Sequence, residues 1–302
     1  MFKSHSGTKA PMTDLISHLS DISDRYDALF CDLWGCLHNG YRPFPDAVAA
    51  LQNFRAGGGI VVLLTNSPRP RPSVRKQLGK IGVPDDCYDE IVASGDASQA
   101  GLAAGLVGKR IYHLGPEKDH GFFTQVASDL DLSGIERVPL EQAEGIVCTG
   151  LFDDLTETPE DYRAQLLYAK QKGLKLLCTN PDLVVDKGDK RIYCAGAVAA
   201  LYTEMGGVSL YFGKPHPPIY DLARRRLAAL KNVPDEAVLC VGDGIHTDIQ
   251  GGLSDGFDTL FITGGLEAAS FGPDPDSPDP TLLQKFFDTR QMAPTAAIAQ
   301  LR

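Results

Sequence analysis

Apolar residues along this chain fall into two spacings, short continuous runs and one-sided helical stripes, and the two alternate from one end to the other. Leu15, Ile16, Leu19 and Ile22 stand at helical spacing, which predicts a leading amphipathic helix over 12–26. A strand is expected at 27–32, followed by a loop over 33–44 marked by glycine and proline. Pro45 opens a helix with Val48, Leu51 and Phe54 on one face, and Gly57, Gly58 and Gly59 stop it. Ile60-Val61-Val62-Leu63-Leu64 is apolar throughout and ends at Thr65, the pattern of a strand covered on both faces. Helices follow near 72–81 and 96–106, with strands at 90–94, 237–242 and 259–263. Such alternation predicts an α/β fold, a doubly wound parallel, Rossmann-like sheet whose site lies at the strand carboxyl ends.

Between 107 and 207 the alternation continues through strand candidates at 109–114, 145–149, 174–179 and 191–194, with a helix at 159–172. This stretch reads as a second α/β domain inserted into a discontinuous first domain made of 1–106 and 208–302. The proline-rich stretch at 272–280 predicts an exposed loop before a closing helix.

Composition narrows the function classes. A length of 302 residues accommodates two domains, and 43% hydrophobic with 23% charged residues suits a soluble globular protein. A net charge of −10 argues against nucleic acid or an anionic membrane as the main partner. No apolar run approaches the roughly 18 residues of a membrane span, and the first residues lack the apolar core of a signal peptide. Seven cysteines without a CxxC pair, mostly inside apolar runs, predict reduced thiols in a cytoplasmic protein.

The chemistry starts at Asp32, which ends the first strand ahead of Leu33-Trp34-Gly35 and so presents a carboxylate at a strand's carboxyl end. LLTNS (63–67), GKP (213–215) and VGDGIHTDI (241–249) follow in that order. A phosphate monoester repels anionic nucleophiles, and the usual remedy is a carboxylate nucleophile, a bridging Mg²⁺ and donors around the phosphoryl oxygens. Asp32 can supply the nucleophile and one metal oxygen, while Asp243 and Asp248 add hard oxygen ligands of the kind that suit Mg²⁺. Thr65 and Asn66 offer a hydroxyl and an amide to phosphoryl oxygens, and Lys214 a compact positive charge. Alone, each motif reads as a turn, a helix cap or a surface lysine. The GDxxxTD spacing after an apolar strand and the order of all four carry the functional reading.

These motifs resemble those of the haloacid dehalogenase superfamily, within it the branch of sugar-phosphate phosphatases of the N-acetylglucosamine operon, nitrophenylphosphatases and pyridoxal phosphatase. That branch carries a large α/β cap between its second and third motifs, where 107–207 falls. IVASGDASQAGL (91–102), CTNPDLVV (178–185) and AGAVAAL (195–201) extend the similarity, which spans about 27 to 264. The resemblance implies a Mg²⁺-dependent phosphatase acting on a small phosphorylated metabolite through an aspartyl-phosphate at Asp32. It also implies the Trp34 backbone carbonyl as a metal ligand, cap side chains that set the substrate, and a homodimer through the cap as one option.

Trp34 departs from the pattern. The phosphatases carry there an aspartate that protonates the leaving oxygen, and indole can neither donate that proton nor accept one from water. His38, His216 and His246, all in or beside motif loops, are the candidates for a substitute. The second reading is therefore a phosphometabolite-binding or regulatory protein with weak or no turnover. A nucleotide-cofactor Rossmann enzyme is disfavoured, because no GxGxxG follows the first strand and glycines 57–59 precede a strand.

Overall fold

The computed structural model describes residues 13–188 and 190–302, so the reading of the extreme amino terminus as free of a leader lies outside the described residues. The apolar runs become strands and the stripes become the helices that cover them. In chain order these are β1 (Asp14–Leu15), β2 (Ala28–Cys31), α1 (Pro45–Ala56), β3 (Ile60–Thr65), α2 (Arg71–Ile81), β4 (Glu90–Ala93) and α3 (Ser94–Ala103). Then come β5 (Arg110–Leu114), α4 (Gly121–Thr124), β6 (Glu136–Arg137), β7 (Gly145–Cys148), α5 (Arg163–Gln171), β8 (Lys175–Cys178), β9 (Val184–Lys187) and β10 (Lys190–Tyr193). The remainder is α6 (Ala195–Glu204), β11 (Val208–Tyr211), α7 (Pro217–Ala228), β12 (Val238–Gly242), α8 (Gln250–Ser254), β13 (Asp258–Ile262), α9 (Pro280–Arg290) and β14 (Ala296–Ile298).

The first sheet runs β1-β14-β13-β12-β2-β3-β4, parallel at every pairing. Alternate residues point to opposite faces. Leu29, Cys31, Val61 and Leu63 pack on Leu51 and Phe54 of α1 and Val74 and Leu78 of α2. Phe30, Val62 and Leu64 pack on Ile219, Ala223 and Leu227 of α7. The chain leaves β2 outward through β3 and β4, returns at β12 beside β2, and leaves the other way through β13 and β14. The switch point is thus between β2 and β12, where ligands of such sheets bind.

A second parallel sheet, β11-β8-β7-β5-β6, is built from the intervening chain. Its Ile146, Cys148, Leu176 and Cys178 pack on Leu166 of α5 and Val198 and Tyr202 of α6, and Ile111, Val147 and Leu177 on Phe122. The loops after β5, β7 and β8 face those after β2 and β3 across one cleft.

Three expectations change. The stretch 12–26 is no helix from 13 onward: it holds β1 and two short 3-10 turns. Its serines and aspartates compete for the backbone, and the Asp21 carboxylate takes the N–H groups of Ser17 and His18 at 3.0 and 2.9 Å. The strand expected at 191–194 is β10, which pairs antiparallel with β9 as a hairpin outside both sheets. Residues 208–211, assigned by the pattern to the core, form β11 at the edge of the second sheet, so the border drawn after 207 shifts past Tyr211. That strand is short and follows Gly206-Gly207 directly, which hides it as a turn. All seven cysteines are buried free thiols. Among the described residues no helix is long and apolar enough to cross a membrane.

Candidate active site

The Asp32 N–H donates to the Val241 carbonyl at 2.8 Å, which prolongs the β2–β12 pairing and fixes the carboxylate at the switch point. The chain then turns through Gly35 at φ +74°, where a Cβ would lie 2.0 Å from Asp243 Oδ2. A Cβ at Gly265 would meet the same oxygen at 2.2 Å. Only glycine permits both approaches, and together the two form a tight cradle around Asp243. Asp243 itself accepts from the Leu266 N–H at 2.9 Å through Oδ2.

Lys214, 2% exposed, ties the site together. Its Nζ donates to Asp32 Oδ1 at 2.6 Å, to Asp248 Oδ1 at 2.5 Å and to the Leu64 carbonyl at 3.0 Å. The backbone at Lys214 is clamped by the Asn66 side chain, which accepts from its N–H at 2.7 Å and donates to its carbonyl at 3.0 Å. Both amide protons of Asn66 are committed, the second to Asp182 Oδ1 at 2.8 Å. Thr65 Oγ1 accepts from the Ser67 N–H at 3.2 Å, leaving its own proton to donate. Asp248, in the π-helical turn Ile245–Ile249, also accepts from the Gly244 N–H through Oδ2 at 3.1 Å, so both its oxygens are bonded.

Burial alone would pull Lys214 down, but the carboxylates of Asp248 and Asp32 outweigh it and hold the ammonium charged, well above its ordinary value. Burial pushes Asp248 up to about 6 against the opposing charge of Lys214, and raises Asp32 in the same way. Asp243 is pushed well up by burial and by the charges of Asp32 and Asp248. Of the three buried carboxylates, Asp32 and Asp248 share the one ammonium and Asp243 makes no pair with it. Asp32, Asp243 and Cys36 each offer an atom within 4.8 Å of the others. Burial keeps the Cys36 thiol protonated, its pKa well raised, so the two carboxylates are the effective donors. An oxygen-rich, under-compensated cradle of this kind fits a hard divalent cation.

The half-buried Trp34 lines two cavities that meet over Asp32. The smaller, about 240 Å³, holds Lys214, Asp243 and Asp248. The larger, about 330 Å³, opens between the two sheets and is walled by Thr65, Arg69, Thr149, Asn180 and the hairpin. None of the three histidines lines either cavity. His38 is buried with its ring edge against Trp34 at 5.1 Å, and burial pulls it down to about 4. His216 stacks on Tyr211 at 4.9 Å, and His246 is exposed. Sequence reasoning passed over Asp182, which lines both cavities. A signal was present: Thr179-Asn180 follows an apolar strand as Thr65-Asn66 does, and Asp182 lies two residues on. It also missed Arg69, whose Nε meets the buried Asp119 across the cleft at 2.9 Å.

Known proteins share this fold. A model of haloacid dehalogenase-like hydrolases matches residues 29–129, and one described as HAD-hydrolase-like matches 211–284. Dihydroxyacetone phosphatase of Corynebacterium glutamicum (strain R) is 32% identical over 31% of this chain, which spans only 33% of that protein's length. D-glycerol 3-phosphate phosphatase of Mycobacterium tuberculosis is 27% identical over 83% of this chain and 67% of its own. A crystal structure of a haloacid dehalogenase-like family hydrolase from Brucella suis 1330 is 40% identical, with a TM-score of 0.84 over 95% of this chain and 100% of the other. The chain belongs to the haloacid dehalogenase-like hydrolase family.

Proposed function

We propose that this protein is a Mg²⁺-dependent phosphatase that hydrolyses a small phosphorylated metabolite through an aspartyl-phosphate on Asp32. The observation that carries the reading is the Asp32 carboxylate at the switch point, held at 2.6 Å by a buried ammonium and flanked by the cradled Asp243. Asp32 attacks the phosphorus, and Lys214 offsets the charge gathered between carboxylate and phosphoryl oxygens. The Thr65 hydroxyl donates to a phosphoryl oxygen, while Asn66 acts by clamping the Lys214 backbone. Asp32, Asp243 and the Trp34 carbonyl would hold Mg²⁺, with Asp248 steadying Lys214 and the Gly244 turn beside them. When bound, the ion supplies charge neutralisation for two anionic partners. The second sheet and its hairpin serve as the cap, and the polar groups of the larger cleft, among them Thr149 and Asn180, suit a hydroxyl-bearing substrate. The curated relatives are phosphatases of glycerol and sugar phosphates, which favours turnover over a binding-only role.

The test is phosphate release from a panel of small phosphoesters with Mg²⁺ and with chelator. Wild type should need the metal, and Asp32→Asn, nearly isosteric, should lose activity on every ester while keeping its fold. Turnover by folded Asp32→Asn at the wild-type rate would reject the assignment.

A further inference from the structure

With Trp34 unable to carry a proton, the proton for the leaving oxygen has to come from another group lining the cleft. An in-line displacement by Asp32 sends the leaving oxygen to the side of the phosphoryl group away from Asp32, into the larger cavity. The carboxyl groups that line either cavity can be sorted by their partners. Asp32, Asp243 and Asp248 belong to the nucleophile and cation set. Asp119 is ion-paired to Arg69 at 2.9 Å, Asp154 to Lys118 at 2.5 Å and Asp186 to Arg191 at 2.8 Å. Asp182 alone remains: it lines both cavities and has no ion pair among the described residues. Other donors in the larger cavity are less suited. Tyr193 is 42% exposed on the hairpin, and burial holds the Cys194 thiol well above its ordinary range.

We propose that Asp182, delivered by the loop after β8 of the second sheet, is the general acid and base of this enzyme, in place of the group that Trp34 displaces. The proposal rests on the phosphatase reading above. Asp182 is positioned from both sides of the cleft. Its Oδ1 accepts from Asn66 of the first unit at 2.8 Å, and its N–H donates to Asn180 Oδ1 of the second at 3.0 Å. Oδ2 is left to carry a proton. Because Asn66 also clamps the Lys214 backbone, one side chain ties the acid to the lysine that holds the nucleophile. Burial lifts its carboxyl to about 6, against the charge of Lys214 and the Asn66 bond, with Asp248 adding to the rise.

The proton ledger closes over two steps. As Asp32 forms its bond to phosphorus, the bond to the leaving oxygen breaks, and that oxygen keeps the electron pair and takes the Asp182 proton. In the second step the Asp182 carboxylate takes a proton from water while the water oxygen attacks the phosphorus. The bond to Asp32 then breaks, which releases phosphate and restores both carboxyl groups.

The experiment compares kcat/KM of wild type, Asp182→Asn and Asp182→Glu on 4-nitrophenyl phosphate and on glycerol 3-phosphate, with thermal midpoints recorded alongside. Asp182→Asn still accepts from Asn66 through its amide oxygen, but its amide N–H is far too weak an acid to protonate the leaving oxygen. Its rate on the alkyl ester should fall about 10²–10⁴-fold, with far less change on the aryl ester, whose leaving group departs without a proton. Asp182→Glu keeps a carboxyl and should hold the alkyl-to-aryl ratio near wild type. Equal losses on both esters, an unchanged amide variant, or a glutamate ratio as low as that of the amide would each overturn the assignment. In each of those cases Asp32→Asn still tests the phosphatase reading separately. A wild type that cleaves no ester of the panel removes both.

Discussion

At the scale of single residues, the site is a balance of buried charge, and Asp243 is its least compensated member. Its carboxyl is pushed well up by burial and by Asp32 and Asp248, and Lys214 opposes this only weakly. A carboxyl raised in the fold above its ordinary value of about 3.9 binds its proton more tightly when folded. Its ionisation therefore costs stability, and the cost grows as pH rises from about 4 until the raised folded value is passed. Asp243→Asn removes that charge and keeps an acceptor for Leu266 N–H. In chelator the variant should melt above wild type, by roughly 2–4 °C per kcal/mol relieved, with the gap widening as pH is raised from about 4. Added Mg²⁺ should raise the wild-type midpoint and leave the variant unmoved. Equal midpoints across that range in chelator, or equal Mg²⁺ stabilisation, would show that Asp243 is not an uncompensated ligand. The identity of these residues was legible in the sequence, because Asp32, Lys214, Asp243 and Asp248 follow strands whose order fixes where their ends meet. Their bonding was not. That Asn66 spends both amide protons, and that Asp182 crosses the cleft to it, depends on loops brought together from 116 residues apart.

At the scale of elements, legibility followed length and apolarity. β2, β3, β7 and β12 are continuous buried runs and could be read directly. β1, β6 and β14 have two or three residues, and β9 is half-buried and polar, so neither period shows in them. The β9–β10 hairpin matters most among these, since Val185 lines both cavities. Its turn at Gly188, at φ +59°, rests on the loop after β2. The Gly188 N–H donates to the Asn39 carbonyl at 3.3 Å, and a Cβ would lie 2.5 Å from the Tyr41 ring. Gly188→Val should cost about 1–3 kcal/mol in that backbone region alone, a cost borne by the docked hairpin and hardly by the two sheets. KM should therefore rise about fivefold or more, protease should cut more readily within 184–193, and the thermal midpoint should change little. An unaltered KM with unaltered cleavage would mean that the hairpin takes no part in substrate binding.

At the scale of the whole molecule, two parallel sheets aim their carboxyl ends at one cleft, and the contacts that cross it decide how often it is closed. Beside the Asn66–Asp182 bond lies the Arg69–Asp119 pair, and its two partners are unequally covered: the Arg69 side chain is 27% exposed and that of Asp119 only 4%. Burial pushes the Asp119 carboxyl up, and Arg69 opposes that rise. The asymmetry makes a specific prediction. Asp119→Asn leaves a guanidinium that water can still reach and that keeps its bond to Gln77 at 2.8 Å, so it should lose little stability. Arg69→Ala strands a buried carboxylate. It should lose about 1–3 kcal/mol, less than for a fully buried pair because the arginine is partly solvated. The double variant should then be more stable than Arg69→Ala alone, since it removes the stranded charge, and the non-additivity measures the link across the cleft. KM should rise in all three proteins, because each weakens the closed arrangement that brings Asp182 to Asp32. Strictly additive melting shifts with wild-type KM would reduce the pair to surface decoration. Closure would then rest on the Asn66–Asp182 bond, the hairpin and the bonds of Ser73 and Gln99 to the second unit.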